Sequence, residues 1–422
     1  MDSIIGIIGI VSLFVVAYAL SENRKAINFR TVGVAFAIQF SLGWVILSSE
    51  IGQSIILTMA TGMSAIINYS NAGISFLFGG LVSNKMFEYF GGDGFIVAFK
   101  VLPIIIFFSA LSAVLYYLGI MQLIVRIVGG ALQKLLGTSK AESMSAAANV
   151  FLGVTEAPLL IKPYMPNMTR SELFAVMCGG LASIAGTMLV SYAQLGVKME
   201  YLLAASFMAA PGGLLFAKIM IPETDQVKEI DFSEDTSREE ANVIDAAASG
   251  ASNGLMLALN IGAMLLAFVG LVAMLNGLLG GVGGWFGIES LSLQMILGYV
   301  FSPIAWLMGV PWSEATLAGS FIGQKIVINE FFAYINLAPY LSGDTIVVAT
   351  GMPMSEKTQI IVSFALCGFA NFGTVAIAIG GIGGMVEKRR SEVASMGIKA
   401  LIAGILSNLM GATLAGIFIM FA

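Results

Sequence analysis

Histidine is absent from all 422 residues. That excludes imidazole-bound metals, Ser-His pairs and His proton relays. Cysteine is nearly absent. Cys178 and Cys367 lie far apart in apolar segments and suggest small packing residues rather than a disulfide. Charge is scarce, at 11 % of residues against about 25 % in a soluble domain. No HExxH motif, Walker loop or nucleophile–base motif occurs, so an enzyme is not expected.

What is present is apolar. Hydrophobic residues make up 58 % of the chain, and 49 glycines suit close helix packing and broken helices. The fold class expected is an all-α polytopic membrane protein, its bilayer partner implied by composition. Clear spans fall at about 3–20, 31–48, 97–118, 172–197, 199–221, 254–280, 358–384 and 397–421, each near the ~20 residues a crossing needs. The first apolar run has an acidic start and no A-x-A end, so it is expected to be a retained helix. Arg24, Lys25 and Arg30 place the following loop in the cytoplasm and the N-terminus outside, and Lys388, Arg389 and Arg390 fall inside before the last span. Residues 222–245 hold nine acidic and two basic residues, a net of -7, and form a soluble acidic loop.

Other segments resist this scheme. Residues 52–85, 119–137 and 288–309 are apolar but interrupted. In 119–137, Arg126 and Lys134 share one helical face, which predicts an interfacial amphipathic helix. Residues 141–166 and 313–342 are too polar to span and too apolar for loops. Each carries an Asn and a Glu, then Pro163-Tyr164 or Pro339-Tyr340, and each is expected to be a re-entrant hairpin.

These hairpins precede helices with related strings, "CGGLASIAGT" at 178–187 and "CGFANFGT" at 367–374, and Glu156 pairs with Glu330. Such self-similarity marks the inverted repeats of secondary transporters, which bind substrate near the midplane. A carboxylate in hydrocarbon costs about 2.5–3.5 kcal/mol, so Glu156 and Glu330 require a use.

Gly153 and Pro158 bracket Glu156 and predict a break that frees backbone groups. The carbonyls of Asn149 and Leu152, the hydroxyl and carbonyl of Ser183 and the carbonyl of Ile184 make an oxygen set suited to Na+. In the second half, Asn329, Glu330, Asn371 and Thr374 combine carboxylate, carboxamide and hydroxyl, a polyol-binding set. Phe369 and Phe372 offer an aromatic wall for a planar group, and Thr155 and Glu156 could meet its polar edges. Asn371 and Ser183 also suit interhelical hydrogen bonding. Lys162 and Lys325 flank the hairpin tips, either snorkelling or countering a Glu.

At these residues the sequence resembles the concentrative nucleoside transporters, bacterial sodium-coupled members especially. The strings are "SAAANVFLGVTEAPLLIKP", "CGGLASIAG", "ASFMAAPGGLLFAK", "GGVGGWFG", "NEFFAY" and "FALCGFANFGT", spread over nearly the whole chain. The resemblance implies a homotrimer of elevator type, with eight spanning helices, three interfacial helices and two re-entrant hairpins per protomer. It also implies periplasmic termini in an inner membrane and no nucleic-acid partner. Its sodium ligands become Asn149, Leu152, Ser183 and Ile184. Glu330, Asn371 and Thr374 match ribose positions, and Thr155, Glu156, Leu259 and Phe369 match base-side positions. Many members have Gln where this chain has Val154. With Thr187 and Met188 nearby, that departure suggests a shift towards purine nucleosides.

The domain organisation expected is as follows. Residues 1–140 are mostly scaffold, 141–221 the first hairpin and following helices, and 222–245 the acidic loop. Residues 246–311 are a scaffold helix and an interfacial helix, 312–395 the second hairpin and a broken helix, and 396–422 the last span. The function expected is sodium-coupled nucleoside import, with Na+ as coupling ion and no organic cofactor. Proton coupling through Glu156 or Glu330 is the alternative. An intramembrane acid–base pair and a passive channel also stay open.

Overall fold

The computed structural model describes residues 2–83, 85–90, 95–227, 240–288, 291–343 and 345–420. Among these residues the chain is helical, and its extended pairing is an isolated bridge between Val347 and Met352. Residues 228–239 of the acidic loop lie outside the described part.

The N-terminal part runs through α1 (Asp2–Ala19), α2 (Phe29–Ser48), α3 (Glu50–Phe78), α4 (Lys85–Phe90), α5 (Val97–Lys100) and α6 (Leu102–Tyr117). The apolar stretch at 52–85, expected to be interrupted, contains the unbroken 29-residue α3. Its polar residues do not break it because their hydroxyls return to its own carbonyls. Thr58 Oγ1 donates to Ser54 O at 2.7 Å, and Thr61 Oγ1 to Leu57 O at 2.7 Å.

Two hairpins follow, and both begin earlier than expected. α7 (Ile120–Leu136) turns at Gly137, whose φ of 67° suits glycine, and packs along α8 (Lys140–Ala148). The segment expected to lie at the interface is thus the first arm of the hairpin. Its buried stripe of Met121, Val125, Gly129, Leu132 and Leu136 meets protein rather than lipid headgroups. An amphipathic stripe does not distinguish these two partners. The second hairpin repeats the arrangement. α13 (Leu293–Leu307) packs on α14 (Trp312–Val327), bent from it by 115°. The boundaries expected at 140/141 and 311/312 therefore cut through hairpins. Residues 313–342 are one hairpin arm, α14, followed by a break and α15 (Glu330–Leu341).

The remaining helices are α9 (Arg170–Ala182), α10 (Gly186–Gln194), α11 (Met199–Met220), α12 (Val243–Trp285), α16 (Glu356–Leu366), α17 (Phe372–Met385) and α18 (Arg390–Phe418). Capping boxes start the two helices that carry the first half of the site. Ser139 and Glu142 cap α8, and Thr169 and Glu172 cap α9. Among the described residues, seven helical stretches are long and apolar enough to cross a membrane, or eight with the bent pair. The seven include α3, which is not among the expected spans, and leave out two that are: 3–20, where α1 is a shorter apolar helix, and 358–384, which is split between α16 and α17; the bent pair is the second hairpin.

Burial separates a core from a rim. In the most apolar window of α11, 94 % of residues are buried, against 11 % in that of α12. α1 and α2 pack on α11 and α18, at the core, while α12 packs mainly on α6.

Candidate cation and substrate site

Two helices break inside the core. α9 ends at Ser183, whose extended backbone leads to α10 three residues on. α16 ends at Cys367, and the chain restarts at Asn371, whose side chain caps α17 by accepting from Thr374 N at 2.8 Å. The breaks touch: Phe369 N donates to Ser183 O at 3.0 Å. α18 crosses both. Asn408 Nδ2 donates to Ala182 O at 2.6 Å and to Cys367 O at 3.1 Å, satisfying a terminal carbonyl of each broken helix. Gly404 permits this approach, since a Cβ there would lie 3.0 Å from Leu181 Cβ and 3.2 Å from Ala370 Cβ.

The first hairpin meets the first break. α8 gives way to turns at Asn149, and Gly186 N donates to Phe151 O at 2.9 Å, fixing the two irregular segments together. Asn149 is 1 % exposed, and neither atom of its carboxamide has a hydrogen-bond partner among the described residues. The same holds for the Ser183 hydroxyl, also 1 % exposed. Native structures rarely leave such atoms unsatisfied. Leu152 and Ile184 are buried beside them in the irregular backbone. α8 and α9 both end here, so the negative ends of two helix dipoles converge. Orphaned carboxamide and hydroxyl oxygens with helix-terminal carbonyls fit a hard monovalent cation. Among the described residues no cluster of His, Cys, Asp and Glu could hold a transition metal.

The second hairpin meets the second break. Asn329 caps α15 by accepting from Phe332 N at 2.8 Å, which fixes Glu330 in the first turn. Glu330 is buried; its carboxylate accepts from Tyr192 Oη at 3.0 Å and from Asn371 Nδ2 at 2.8 Å. Asn371 Oδ1 also accepts from the Thr374 hydroxyl at 3.0 Å. Glu330, Asn371 and Thr374 thus form one connected group. It gathers a carboxylate, an amide and a hydroxyl in one buried place.

The base-side residues are more scattered. Val154 is buried and faces α9, where a Cβ on Gly180 would meet its Cγ2 at 2.6 Å. Thr155 reaches α17, since a Cβ on Gly381 would meet its Cγ2 at 2.8 Å. Glu156 is exposed, with Oε2 accepting from Gly153 N at 3.1 Å, so it does not share the buried setting of Glu330. Met188 is buried on α10, and Phe369 is half-buried in the second break. Phe372 is 53 % exposed and Leu259, on α12, is 57 % exposed, so neither joins the buried group. Lys162 is exposed, whereas Lys325 is buried and hydrogen-bonded.

Tyr192 and Asn408 were not singled out by the sequence reading. Asn408 does carry a signal, as the lone carboxamide of its apolar helix. Tyr192 carries none, since its link to Glu330 joins residues 138 apart.

Comparison with known proteins identifies a family. Residues 8–81 match the family described as Na+ dependent nucleoside transporter N-terminus, 98–199 the one described as nucleoside recognition, and 201–416 the corresponding C-terminus. The chain is 50 % identical to the nucleoside permease NupC of Helicobacter pylori over 99 % of this chain and 98 % of that one. It is similar to CNTnw in an inward-facing substrate-bound state, with a TM-score of 0.94, 56 % identity, and 99 % and 98 % of the two chains covered. It is also similar to a doubly substituted CNTnw in an outward-facing state, with a TM-score of 0.97, 55 % identity and full coverage of both chains.

Proposed function

Because the chain belongs to the Na+ dependent nucleoside transporter family, we propose that it imports nucleosides by symport with Na+. It is a multi-pass protein of the bacterial inner membrane, and its relatives are permeases and transporters rather than enzymes. The observation that carries the reading is the contact between the two breaks. Ser183, with its unsatisfied hydroxyl, is one hydrogen bond from Phe369, which leads directly into Asn371. A cation held at Asn149, Leu152, Ser183 and Ile184 orders the first break. Through Phe369, that order reaches the residues that bind ribose. Coupling arises because each ligand stabilises the arrangement the other needs.

Glu330, Asn371 and Thr374 hold the sugar in this reading, while Thr155, Glu156 and Phe369 meet the base. Val154 lacks an amide to offer a pyrimidine edge, and Met188 adds apolar bulk, which favours purine nucleosides. One lost hydrogen bond is worth about 0.5–1.5 kcal/mol. The exposed apolar faces of α3 and α12 suit a homotrimer, and the outward- and inward-facing states named for CNTnw suit an elevator motion. Leu259 enters the base side only if that motion brings α12 to the site.

The test is radiolabelled uptake into proteoliposomes. An inward Na+ gradient should drive uphill accumulation of unaltered adenosine and guanosine in preference to uridine. A strong uridine preference removes the purine reading. Accumulation driven by a pH gradient without Na+ replaces sodium by protons, the reading that the burial of Glu330 favours.

A further inference from the structure

α14, α15 and α16 share one end, and that end carries an apolar loop. Glu314, in the first turn of α14, accepts from Ser355 N at 3.0 Å and from Ser355 Oγ at 2.6 Å, at the start of α16. Tyr334 on α15 donates to Ser363 O on α16 at 2.8 Å, so these two helices run side by side. The connection between them contains "TIVVATGMPM" at 345–354, a stretch without a charge. Its backbone closes on itself. Val347 N donates to Met352 O at 2.8 Å and Gly351 N to Val347 O at 2.8 Å, with Gly351 at a φ of 66° in the turn. Val347 and Met354 are buried and seat the loop on the core, whereas Ile346, Val348 and Met352 are 52, 95 and 63 % exposed. Apolar side chains on a turn that satisfies its own backbone suit lipid better than water.

α18 sets the depth of this loop. Gly416 approaches Ile361 of α16, Gly404 approaches Ala370 in the second break, and Gly383 of α17 approaches Arg390. α16 and α17 therefore run antiparallel along α18, with the break part-way along it. The transporter reading puts such a break near the bilayer midplane. The 11 residues of α16 then carry its start about 16 Å from the midplane. That is just past the ~15 Å half-thickness of the hydrocarbon. Trp312, which opens α14 at the same end, is exposed and meets Trp306 edge to face at 6.1 Å. Indoles collect at this level in membrane proteins. Lys388, Arg389 and Arg390 follow the far end of α17, and the positive-inside rule puts them in the cytoplasm. The loop thus belongs to the periplasmic leaflet.

We propose that residues 345–354 form a lipid anchor, with Ile346, Val348 and Met352 entering the boundary between headgroups and acyl chains. The depth of the break, and so this inference, rests on the transporter reading. Lipid is the occupant rather than a second copy of the chain. The loop joins α15 and α16, which pack mainly on α14 and α18, whereas α3 and α12 carry the faces that suit a homotrimer. Through Glu314 and Ser355, the anchor holds the outer ends of α14 and α16, the helices whose inner ends stop in the core.

Val348→Cys tests this, labelled with an environment-sensitive NBD fluorophore in phosphatidylethanolamine–phosphatidylglycerol proteoliposomes. Cys178 and Cys367 are buried, so wild type should take no label. Asp225→Cys, exposed in the acidic loop, is the aqueous reference. The label at 348 should emit at shorter wavelength than the one at 225 and should resist iodide. Lipids spin-labelled near the headgroup should quench it more than lipids spin-labelled at the chain end. Met352→Cys should behave alike, and decides the matter if Val348→Cys labels poorly. Iodide quenching equal to that at 225 overturns the inference, because the loop then faces water. A blue-shifted label that no lipid quenches also overturns it, because protein then covers the loop. Stronger quenching from the chain end overturns the placement at the boundary. Nucleoside uptake by the unlabelled protein, measured in the same vesicles, tests the transporter reading separately.

Discussion

Glu330 and Asn149 show how differently two buried polar residues can be used. Glu330 is satisfied internally by Tyr192 and Asn371, so under the proposed function a sugar exchanges its own hydroxyls for those bonds. Tyr192→Phe removes one donor and should change nucleoside affinity by up to about tenfold, the weight of one net hydrogen bond. Asn371→Ala removes a donor to the carboxylate and the cap of α17, and should abolish saturable uptake. Both are checked by uptake kinetics on protein whose thermal stability is measured in parallel. A normal KM in Asn371→Ala would remove it from the sugar site. Asn149 is unsatisfied on both carboxamide atoms, so under the proposed function it gains from an ion instead. Asn149→Leu should raise the Na+ concentration for half-maximal uptake at least about tenfold, more than one ordinary hydrogen bond, because a charged partner is lost. Unchanged sodium dependence would count against the assignment. The types of these residues were legible in the sequence, because a carboxylate or carboxamide among apolar neighbours demands a partner. Their partners were not. Tyr192 and Asn408 reach across 138 and 226 residues to Glu330 and Ala182, and nothing local encodes such meetings.

Helix ends, rather than helix bodies, organise the site. α8, α9, α14 and α16 all stop within it, and α18 holds two of the stops together through Asn408. Gly404→Val tests that element. A branched side chain would meet Leu181 and Ala370 at sub-contact distance and push α18 off both breaks, a strain of about 1–3 kcal/mol. The variant should lose several degrees of thermal stability and lose sodium-stimulated binding along with it. If stability falls while sodium stimulation is retained, α18 supports the core without positioning the breaks. The irregular backbone around Glu156 was readable from Gly153 and Pro158, whereas 172–197 was expected as one span and is broken at Ser183. The hairpin arms were misplaced for a physical reason. α7 has a sequence that would sit equally well at a membrane surface, and the hydroxyls that made α3 look interrupted are satisfied within one turn. Periodicity reports that a face is apolar, not what covers it.

Across the whole molecule, several of the described ion pairs join distant parts of the chain. Glu22, in the turn after α1, accepts from Arg170 at the start of α9 at 3.1 Å and from Lys399 on α18 at 2.7 Å. The N-terminal turn is thereby fixed to the helix that forms the first break and to the helix that crosses both. The Arg170 guanidinium, helped by Lys399 and opposed by partial burial, holds the Glu22 carboxyl below its ordinary value. A carboxyl depressed in the folded state stabilises fully above its unfolded value and loses that contribution as pH falls through the folded one. The added stability should thus be present at neutral pH and vanish in acid. All three side chains are about a third exposed, so solvent screening limits each pair to about 0–1 kcal/mol. Glu22→Gln should therefore lower the thermal midpoint of the solubilised protein modestly at pH 7, at low salt. The gap to wild type should close as pH falls through the depressed folded value of the Glu22 carboxyl, and shrink as salt is raised. A gap that persisted unchanged at low pH would mean that Glu22 contributes through packing of its stem, and that the turn is fixed by shape rather than by charge.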